Sequence, residues 1–307
     1  MFRSIAFFTE MRFTGKVPSN HTNMRTEFAW MHALQADHYN YREVPSSTYD
    51  LGIVIIPKKD PHFEIDSIRR RCKQVAVMQE GPHWYFQDYP LDKQIWYFNT
   101  LCSADIIFTH NKADKMYYQG LTGHKDVRVL PTLMIEETIG ELKKEEREGV
   151  IIGGNFVNWY GGFDSYIVAS EITDKVTAPS MGRKQAQEEQ LVTHLPYMTW
   201  KDWIHKLNEF KIGVHLMRTH AAGTFALNCA YLGIPCIGYE GLDTQEKCHP
   251  QTTVKIGDIG KAKEMLKKLD SDKEFYDIVS SSVKANYNQL YNEDKFNTTF
   301  QEQFKVS

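Results

Sequence analysis

The run QEGPHWYFQDYP at 79–90 places three titratable side chains directly after an apolar segment typical of a buried strand. Glu80, His83 and Asp88 stand there among aromatic residues. A carboxylate in such a setting tends toward a raised pKa, and a general base that activates a hydroxyl group is tuned in this way. Glu80 is the first candidate because it stands at the strand end, with Asp88 and His83 as reserves. A helix N-cap or a surface ion pair is the alternative role for Glu80.

A second segment, 211–241, reads as strand, glycine turn, helix and strand in succession. Gly223 opens the helix, and Gly233 stands where a C-terminal glycine ends one. The free N–H groups at the start of a helix, together with its dipole, attract a diphosphate. Arg218 and His220 lie just before the helix and add cationic donors. An α/β crossover without any ligand fits the same pattern.

The loop over 8–27 is long and polar, and it follows the first strand. It brings Gly15, Lys16, His21 and Arg25 to the carboxyl end of the first predicted sheet, which is the edge where ligands bind in open α/β sheets. A solvated loop that caps the next helix is the alternative.

A second loop, IIGGNFVNWYGGF at 151–163, carries two glycine pairs. Gly153 and Gly154 follow a buried strand, and the other pair precedes a helix. Adjacent glycines indicate a close backbone approach, either to a ligand phosphate or to the other half of the chain. A purely structural tight turn is the alternative.

Around these loops, strand-like and helix-like runs alternate along the whole chain, which favours an α/β fold with parallel sheets covered by helices. We expect a first Rossmann-like domain over 1–140, with the charged stretch 136–148 as its linker region, and a second over 149–285. The first contains a predicted helix at 63–73. The end of the chain, over 272–304, is predicted to be helical and polar with an aromatic stripe, and residues 286–307 form a separate C-terminal helix.

Composition narrows the function classes. The chain has 307 residues, 42% of them hydrophobic, and a net charge of −3, which excludes a globally basic nucleic-acid binder. Its five cysteines are scattered in apolar runs and indicate a reducing cytoplasm, and no run reaches the roughly 20 apolar residues of a membrane span. Arg69, Arg70 and Lys73 form a local basic patch that could contact DNA phosphates, although a solvated helix face is the more common role of such a run.

Several of these motifs match one known family. The chain resembles the phage DNA β-glucosyltransferases, a GT-B family. The loop GKVPSNHT (15–22) looks like their K-x-VPSSET loop, and VMQEGPHWYF (77–86) matches the strand end that bears their catalytic Asp. GGNF (153–156) is similar to their GGSF turn, THLPYM (193–198) lies where they have GKIPMN, and Asn228 falls where they have a Glu.

The resemblance implies two Rossmann-like domains facing across a cleft, with the C-terminal helix packing back on the first domain. It places the general base at Glu80, the uracil at Pro196, Tyr197 and Met198, and the ribose at Asn228. The donor set it implies, together with the motifs above, is Gly15, Lys16, Gly153, Gly154, Asn155, Pro196, Tyr197, Met198, Arg218, His220, Gly223, Thr224 and Asn228. The acceptor set is His21, Arg25, Trp84, Tyr85, Arg69, Arg70 and Lys73.

The expected activity is therefore an inverting glycosyl transfer from a UDP-sugar to an acceptor hydroxyl, 5-hydroxymethylcytosine in phage DNA being the first candidate. The family's diphosphate-binding arginines have no counterpart here, so Arg218, His220 or Arg183 must replace them, and the sugar can be a hexose or a pentose such as arabinose. No cofactor is required, and a divalent metal is possible but not implied, because no DxD-like acidic pair ends a strand. The expected protein is a monomer in the cytoplasm, the host's if a phage encodes it. A cell-surface glycan or protein acceptor, or an inactive nucleotide- or sugar-binding protein, is the alternative.

Overall fold

The computed structural model describes residues 4–57, 63–123, 126–143, 146–156, 159–180 and 185–304. The predicted alternation of strands and helices is present in both halves. In the N-terminal half the elements are β1 Ile5–Thr9, α1 Glu27–Ala33, β2 Asp37–Asn40, β3 Tyr49–Ile55, α2 Asp66–Arg69, β4 Cys72–Met78, α3 Leu91–Ser103, β5 Ile106–Thr109, α4 Lys112–Thr122 and β6 Asp126–Val129.

These six strands form one parallel sheet in the order β2-β1-β3-β4-β5-β6. The sequence of β1, IAFFT, is buried along its whole length, as expected for a strand that is covered by helices on both faces. The chain reverses its direction of sheet growth between β1 and β3. Such a switch point opens a crevice at the carboxyl ends of the strands.

The C-terminal half repeats the arrangement. Its elements are β7 Glu148–Ile152, α5 Gly162–Ala169, β8 Thr177–Ala178, β9 Thr193–His194, α6 Trp200–Leu207, β10 Phe210–His215, α7 Thr224–Leu232, β11 Cys236–Tyr239, α8 Asp243–Cys248, β12 Thr253–Val254, α9 Ile259–Ser271, α10 Lys273–Leu290 and α11 Glu293–Glu302.

The second sheet has the order β12-β11-β10-β7-β8-β9 and is also parallel. Counted from β7, this is the 3-2-1-4-5-6 order of dinucleotide-binding Rossmann sheets. Its switch point lies between β7 and β10. The ends of these two strands, at Gly153 and His215, therefore flank the position where a nucleotide is expected.

Two predicted helices differ from the observed ones. The helix expected over 63–73 shortens to the four residues of α2, because Cys72 already pairs with Tyr49 as the first residue of β4. The helical tail expected over 272–304 breaks after α10, and the side chain of Asn292 caps α11 by accepting from Lys295 N (2.7 Å).

That break lets the tail return to the N-terminal half, as the sequence predicts. Phe300 of α11 is buried with its ring centroid 6.3 Å from that of Phe108 in β5. Gln303 Nε2 donates to Val129 O (2.8 Å) at the end of β6. The last described turn thus fixes the two halves to each other from behind the cleft.

Among the described residues, no helix combines the length and the apolar character that a membrane crossing needs.

Candidate functional site

The carboxyl ends of both sheets border one cavity of about 310 Å³. The N-terminal half contributes the start of α1 and the residues at or after the ends of β3, β4 and β5, and the C-terminal half contributes the ends of β7 and β10 and the start of α7. The lining side chains that carry polar or aromatic groups are Arg25, Thr26, Glu27, Trp30, Gln79, Glu80, Tyr85, His110, Trp159, Tyr160, His215, Thr224 and Phe225.

The switch point of the second sheet forms one wall of this cavity. A Cβ at Gly153 would lie 2.5 Å from Phe225 Cδ1 and 2.7 Å from His215 Cγ, so only glycine lets these two rings pack against the end of β7. The close approach at Gly153 is therefore to side chains of β10 and α7 in the same half of the chain, and not to the N-terminal half. Gly154 makes its close contact with Tyr160 O instead, which corresponds to the tight-turn alternative.

The start of α7 forms the next part of the wall. Gly223 caps the helix at φ +68°, a left-handed conformation that favours glycine, and a Cβ there would lie 2.2 Å from Thr244 Oγ1. No side chain among the described residues caps the α7 N-terminus. Backbone N–H groups at such an end, together with the helix dipole, favour an anion. Arg25 is the only Arg or Lys among the described residues that line the cavity, and its side chain adds a fixed positive charge to it.

A smaller cavity of about 150 Å³ adjoins the first and shares four of its residues with it: Arg25, Gly153, Thr224 and Phe225. Pro196, Tyr197 and Met198 lie on its wall, where the sequence places a nucleobase. Trp200, Trp203 and Phe225 complete an apolar, aromatic slot. The two cavities meet at the start of α7, so one elongated ligand can occupy both.

Asn228 also borders the smaller cavity, but its amide already has protein partners. In the orientation that satisfies both ends, its nitrogen donates to Thr224 O (3.0 Å) and its oxygen accepts from Trp203 Nε1 (3.0 Å). Asn228 therefore orients the tryptophan ring of the slot.

Opposite α7, the N-terminal half presents two carboxyl groups. Glu80 follows β4, as predicted, and lines the larger cavity. Glu27, in the first turn of α1, lines it as well, and burial, reinforced by the negative charge of Glu80, raises the pKa of Glu27. The preceding Thr26 has φ +47°, a strained conformation for a β-branched residue.

Two histidines complete the lining, one from each half. His110 follows β5 and His215 ends β10, and burial lowers the pKa of both to about 4. Both rings are therefore neutral at physiological pH. His110 Nδ1 and His215 Nε2 find no hydrogen-bond partner among the described residues. A neutral imidazole nitrogen can donate to or accept from a hydroxyl group, depending on its tautomer.

Aromatic rings from both halves meet at the same cavity. The ring centroids of Tyr85, after β4, and Trp159, after β7, lie 5.9 Å apart, and Trp159 stacks on Tyr160 at 4.1 Å. Trp84 packs edge-on against Tyr85 at 6.4 Å without lining the cavity itself. Such rings offer flat apolar faces beside the carboxyl groups.

Several predicted site residues lie elsewhere. Arg218 is 62% exposed and pairs with Asp164, with Nη2 2.8 Å from Oδ2, so it does not line the cavity. Asp88 is exposed in the short turn after β4 and does not line the cavity either.

His83 and His220 both contact Asp114 instead of the cavity. The Nδ1 atoms of His83 and His220 lie 2.9 and 3.1 Å from Asp114 Oδ1. Burial alone would raise the pKa of Asp114, but the bonds from His220 and His83 hold it well below its usual range. The same hydrogen bond raises the pKa of His220. This cluster belongs to the contact between the halves.

The loop over 8–27 divides between two places. Gly15 bridges to His38 beside β2 (N to O, 2.9 Å in both directions), and Lys16 pairs with Asp37 at 3.1 Å, so neither lines the cavity. His21 stacks on Phe28 at 4.4 Å. Arg25 alone of the predicted loop residues borders both cavities.

The basic patch lies at the far end of the first sheet. Arg69 Nη1 pairs with Asp105 (2.8 Å) and Lys73 Nζ with Asp50 (2.7 Å), and Arg70 lies beside them at the end of α2. Lys73 is the second residue of β4, and Glu80 is seven residues later, up to about 23 Å away at roughly 3.3 Å per residue. None of the three borders the cleft.

The remaining predicted donor residue, Asn155, is buried, and its carbonyl accepts from Gly162 N (3.1 Å) as part of the turn after β7. Arg183 lies outside the described residues.

Glu27, His110 and His215 are among the cavity residues that the sequence did not single out. His110 and His215 end β5 and β10, so the rule that ligands bind at carboxyl strand ends could have identified them. Glu27 gave no such signal, because an acidic residue in the first turn of a helix is the ordinary complement of its dipole.

Comparison with known proteins gives the fold a name. No protein-family model matches the chain, and no curated protein matches it either. Among solved structures, sucrose-phosphate synthase from Thermosynechococcus elongatus is similar at a TM-score of 0.72 and 9% identity, over 98% of both chains. HepE from Anabaena, solved with UDP and glucose, is similar at 0.64 and 10% identity, over 98% of this chain and 99% of that one.

A trehalose-6-phosphate synthase, studied for glycosyl transfer with retention, is similar at a TM-score of 0.63 and 9% identity, over 99% of this chain and 94% of that one. At this identity the likeness concerns the fold. Together with the two parallel six-stranded sheets, it shows that the chain has the GT-B glycosyltransferase fold.

Proposed function

We propose that the chain is a glycosyltransferase that uses a UDP-sugar donor. The observation that carries this proposal is the junction of two cavities at the start of α7, with an apolar slot on one side and carboxyl and imidazole groups on the other. The structure of HepE with UDP and glucose supports it, because that protein shares the fold over nearly the whole chain.

The donor lies across both cavities, with its base in the smaller one and its sugar in the larger one. Its base occupies the slot of Pro196, Tyr197 and Trp203, where aromatic faces cover a planar ring. Its diphosphate meets the N-terminus of α7 and Arg25, which stabilise the negative charge that grows on the leaving group. Its sugar then lies in the larger cavity, where His110 Nδ1 and His215 Nε2 can bind hydroxyl groups. The positive charge at the diphosphate comes from protein groups in this arrangement.

Glu80 is the proposed general base. It lines the larger cavity from the N-terminal half, opposite α7, so an acceptor held beside it attacks from the side remote from the diphosphate. The acceptor proton moves to the Glu80 carboxylate while the acceptor oxygen bonds to the anomeric carbon. The bond from that carbon to the diphosphate breaks, and its electron pair leaves with UDP. This geometry gives inversion at the anomeric carbon.

We also propose a division of roles between three parts of the chain. Residues 1–140 bind the acceptor and provide the base, residues 149–285 bind the donor, and residues 286–307 tie the second part to the first. The cavity lining supports this division, since its carboxyl groups come from the N-terminal half.

The acceptor that the structure favours is a carbohydrate hydroxyl. Duplex DNA requires a basic surface at the cleft, but Arg69, Arg70 and Lys73 lie at the opposite end of β4 and two of them are paired with aspartates. The cleft instead carries Glu27 and Glu80 beside the rings of Tyr85 and Trp159. Carboxylates repel a polyanion, whereas aromatic faces pack well against the apolar face of a sugar ring.

The test is a transfer assay with the purified protein. A panel of UDP-sugars is first screened by thermal shift, and the stabilising donors are then incubated with simple glycosides and, separately, with duplex DNA containing 5-hydroxymethylcytosine. We expect transfer to a glycoside, with the anomeric configuration opposite to that of the donor by NMR. Retention would exclude Glu80 as the base of a single displacement. Transfer to DNA alone would restore the DNA acceptor.

A further inference from the structure

A partly buried cluster outside the cleft brings together side chains that the proposed transfer does not use. His83 lies in the turn after β4, Asp114 in the first turn of α4, and His220 in the loop between β10 and α7. His83 is 31 residues and His220 is 106 residues from Asp114 in the chain, yet both rings direct Nδ1 to the same oxygen, Asp114 Oδ1. Two residues come from the N-terminal half and one from the C-terminal half.

The spacing of the three atoms matches a shared ion. One ligand atom from each residue lies within 4.8 Å of the others, and the two nitrogens lie 2.9 and 3.1 Å from the oxygen. Ligands about 2.0–2.1 Å from a transition metal, at angles of roughly 90–110°, lie roughly 2.8–3.4 Å from each other. Each of the two nitrogen–oxygen distances thus fits two adjacent positions of one coordination sphere.

A second residue orients the carboxylate. Asn111 Nδ2 donates to Asp114 Oδ2 (3.2 Å), which leaves Oδ1 pointing between the two rings. The same amide nitrogen donates to Ala221 O (2.8 Å), next to His220, and the Asn111 oxygen accepts from Asp243 N (2.9 Å). Partners of this kind, which hold a ligand in place from behind, are typical of metal sites.

The cluster is open to solvent on one side. The Asp114 side chain is only 6% exposed, while those of His83 and His220 are 24% and 19% exposed. An ion can reach the cluster from the solvent side and keep water in the positions that the protein does not fill.

We propose that His83, Asp114 and His220 form a transition-metal site that joins the two halves of the molecule. Two imidazole nitrogens and one carboxylate oxygen suit Zn²⁺, Co²⁺ or Ni²⁺. The ion links the turn after Glu80 to the loop before α7, so it holds the two halves together on one side of the cleft. This inference is independent of the proposed transfer, because the site does not line either cavity.

Binding is measured directly. The protein is treated with a chelator, freed of it, and titrated with Zn²⁺ by calorimetry and with Co²⁺ by visible absorption. We expect one equivalent to bind, with Co²⁺ d–d bands that show nitrogen and oxygen ligation. His83→Gln and His220→Gln, one in each half, should each weaken binding by at least the roughly 10–100-fold that the loss of an orienting partner costs. Loss in both shows that the ion bridges the halves.

The matched control is His32→Gln. His32 Nε2 pairs with Glu137 at 3.1 Å, the same kind of histidine–carboxylate contact, but no second histidine is part of that contact. This variant should bind the ion as the parent does. Asp114→Asn keeps the size of the side chain and removes its charge, and it should bind as weakly as the histidine variants.

Two outcomes overturn the proposal. One is equal affinity for Zn²⁺ in the parent, His83→Gln and His220→Gln. The other is that the parent protein binds no ion, while the His220→Gln variant has a lower melting temperature than the parent. This result would mean that the three side chains stabilise the fold through hydrogen bonds alone. Circular dichroism of each variant identifies one that has failed to fold, and the remaining histidine variant together with Asp114→Asn then decides.

Discussion

The two halves have similar sheets but present different chemistry to the cleft. The C-terminal half contributes a helix N-terminus, glycines at close contacts and an aromatic slot, which are groups that bind without changing their protonation. The N-terminal half contributes Glu27 and Glu80, one of which has a raised pKa. In the proposed transfer, the C-terminal wall therefore supplies most of the groups that bind the donor, Arg25 adds a charge from the N-terminal half, and the N-terminal wall supplies the carboxyl groups that exchange protons.

This separation has a physical basis. A diphosphate needs preorganised positive potential, and a carboxylate placed beside it would cancel that potential. Conversely, a general base must remain basic, and the full field of α7 at short distance would lower its pKa. Two domains that meet across a cleft keep the groups apart until a donor lies between them.

The largest effect should come from the base. Glu80→Gln keeps the shape of the side chain and removes its basicity, so transfer should fall by roughly 10²–10⁴-fold while UDP binding is unchanged. Initial rates are measured with saturating donor, and UDP affinity by calorimetry. Asp88→Asn, an exposed carboxylate of the same segment, is the control and should transfer normally. If Glu80→Gln transfers normally while Glu27→Gln loses activity, the base is Glu27.

The positive charge that Arg25 of the N-terminal half brings to the proposed donor site is tested next. Arg25→Gln should weaken UDP by about 10–100-fold, the equivalent of roughly 1.5–3 kcal/mol for a hydrogen bond to a charged group, and should leave uridine unchanged. Calorimetry with both ligands measures the difference. Arg218→Gln is the control, because Arg218 is paired with Asp164 outside the cavity, and it should bind both ligands normally. Equal loss of UDP and uridine in Arg25→Gln would argue against a phosphate contact.

The shape of the donor wall should matter somewhat less. In Gly153→Ala the new Cβ meets Phe225 and His215, so one ring must shift, and we expect UDP affinity to fall about tenfold, within the range that overpacking costs. Gly120→Ala in α4 has open space around its Cβ and should raise the free energy of unfolding by about 0.5–1 kcal/mol without changing UDP binding. A Gly153→Ala variant with unchanged affinity would show that the wall can adapt.

A pH dependence of stability, to which one histidine of each wall contributes, acts on folding and not on binding or transfer. The pKa values of His110 and His215 are about 4 in the folded protein and about 6.5 when unfolded, so between these values the unfolded chain binds more protons. The contribution of the two rings to the free energy of unfolding is therefore fully present above about pH 6.5. It falls toward pH 4 by up to roughly 1.4 kcal/mol per pH unit for each ring. Urea unfolding of the parent and of His215→Gln at several pH values checks this. The variant should show a smaller slope, and an identical slope would contradict the assignment.

Local patterns in the sequence were sufficient for much of the fold. The alternation of apolar runs predicted the strands of both sheets, and Gly223 and Gly233 marked the two ends of α7. They failed where partners distant in sequence decide the outcome: Cys72 joins β4 because Tyr49 pairs with it, which shortens the helix expected over 63–73.

The candidate site, like the fold, was predictable where it depends on local patterns. Glu80, Gly223 and the turn at Pro196 follow strands, and the rule for carboxyl strand ends placed them at the cleft. Arg218 and His220 obeyed the same rule, yet their partners Asp164 and Asp114 are 54 and 106 residues away, and these contacts turn both side chains out of the cavity.

What the sequence determined by itself is thus the α/β architecture, the helix at the second switch point and the carboxylate after β4, because each depends on hydrophobic periodicity or backbone conformation within a few residues. The tertiary structure decided which charges face the cleft. Arg25, Glu27, His110 and His215 are brought to one cavity, and His83 and His220 to Asp114, by contacts between segments far apart in the chain. A side chain's partner depends on the packing of two domains, and no local pattern encodes that packing.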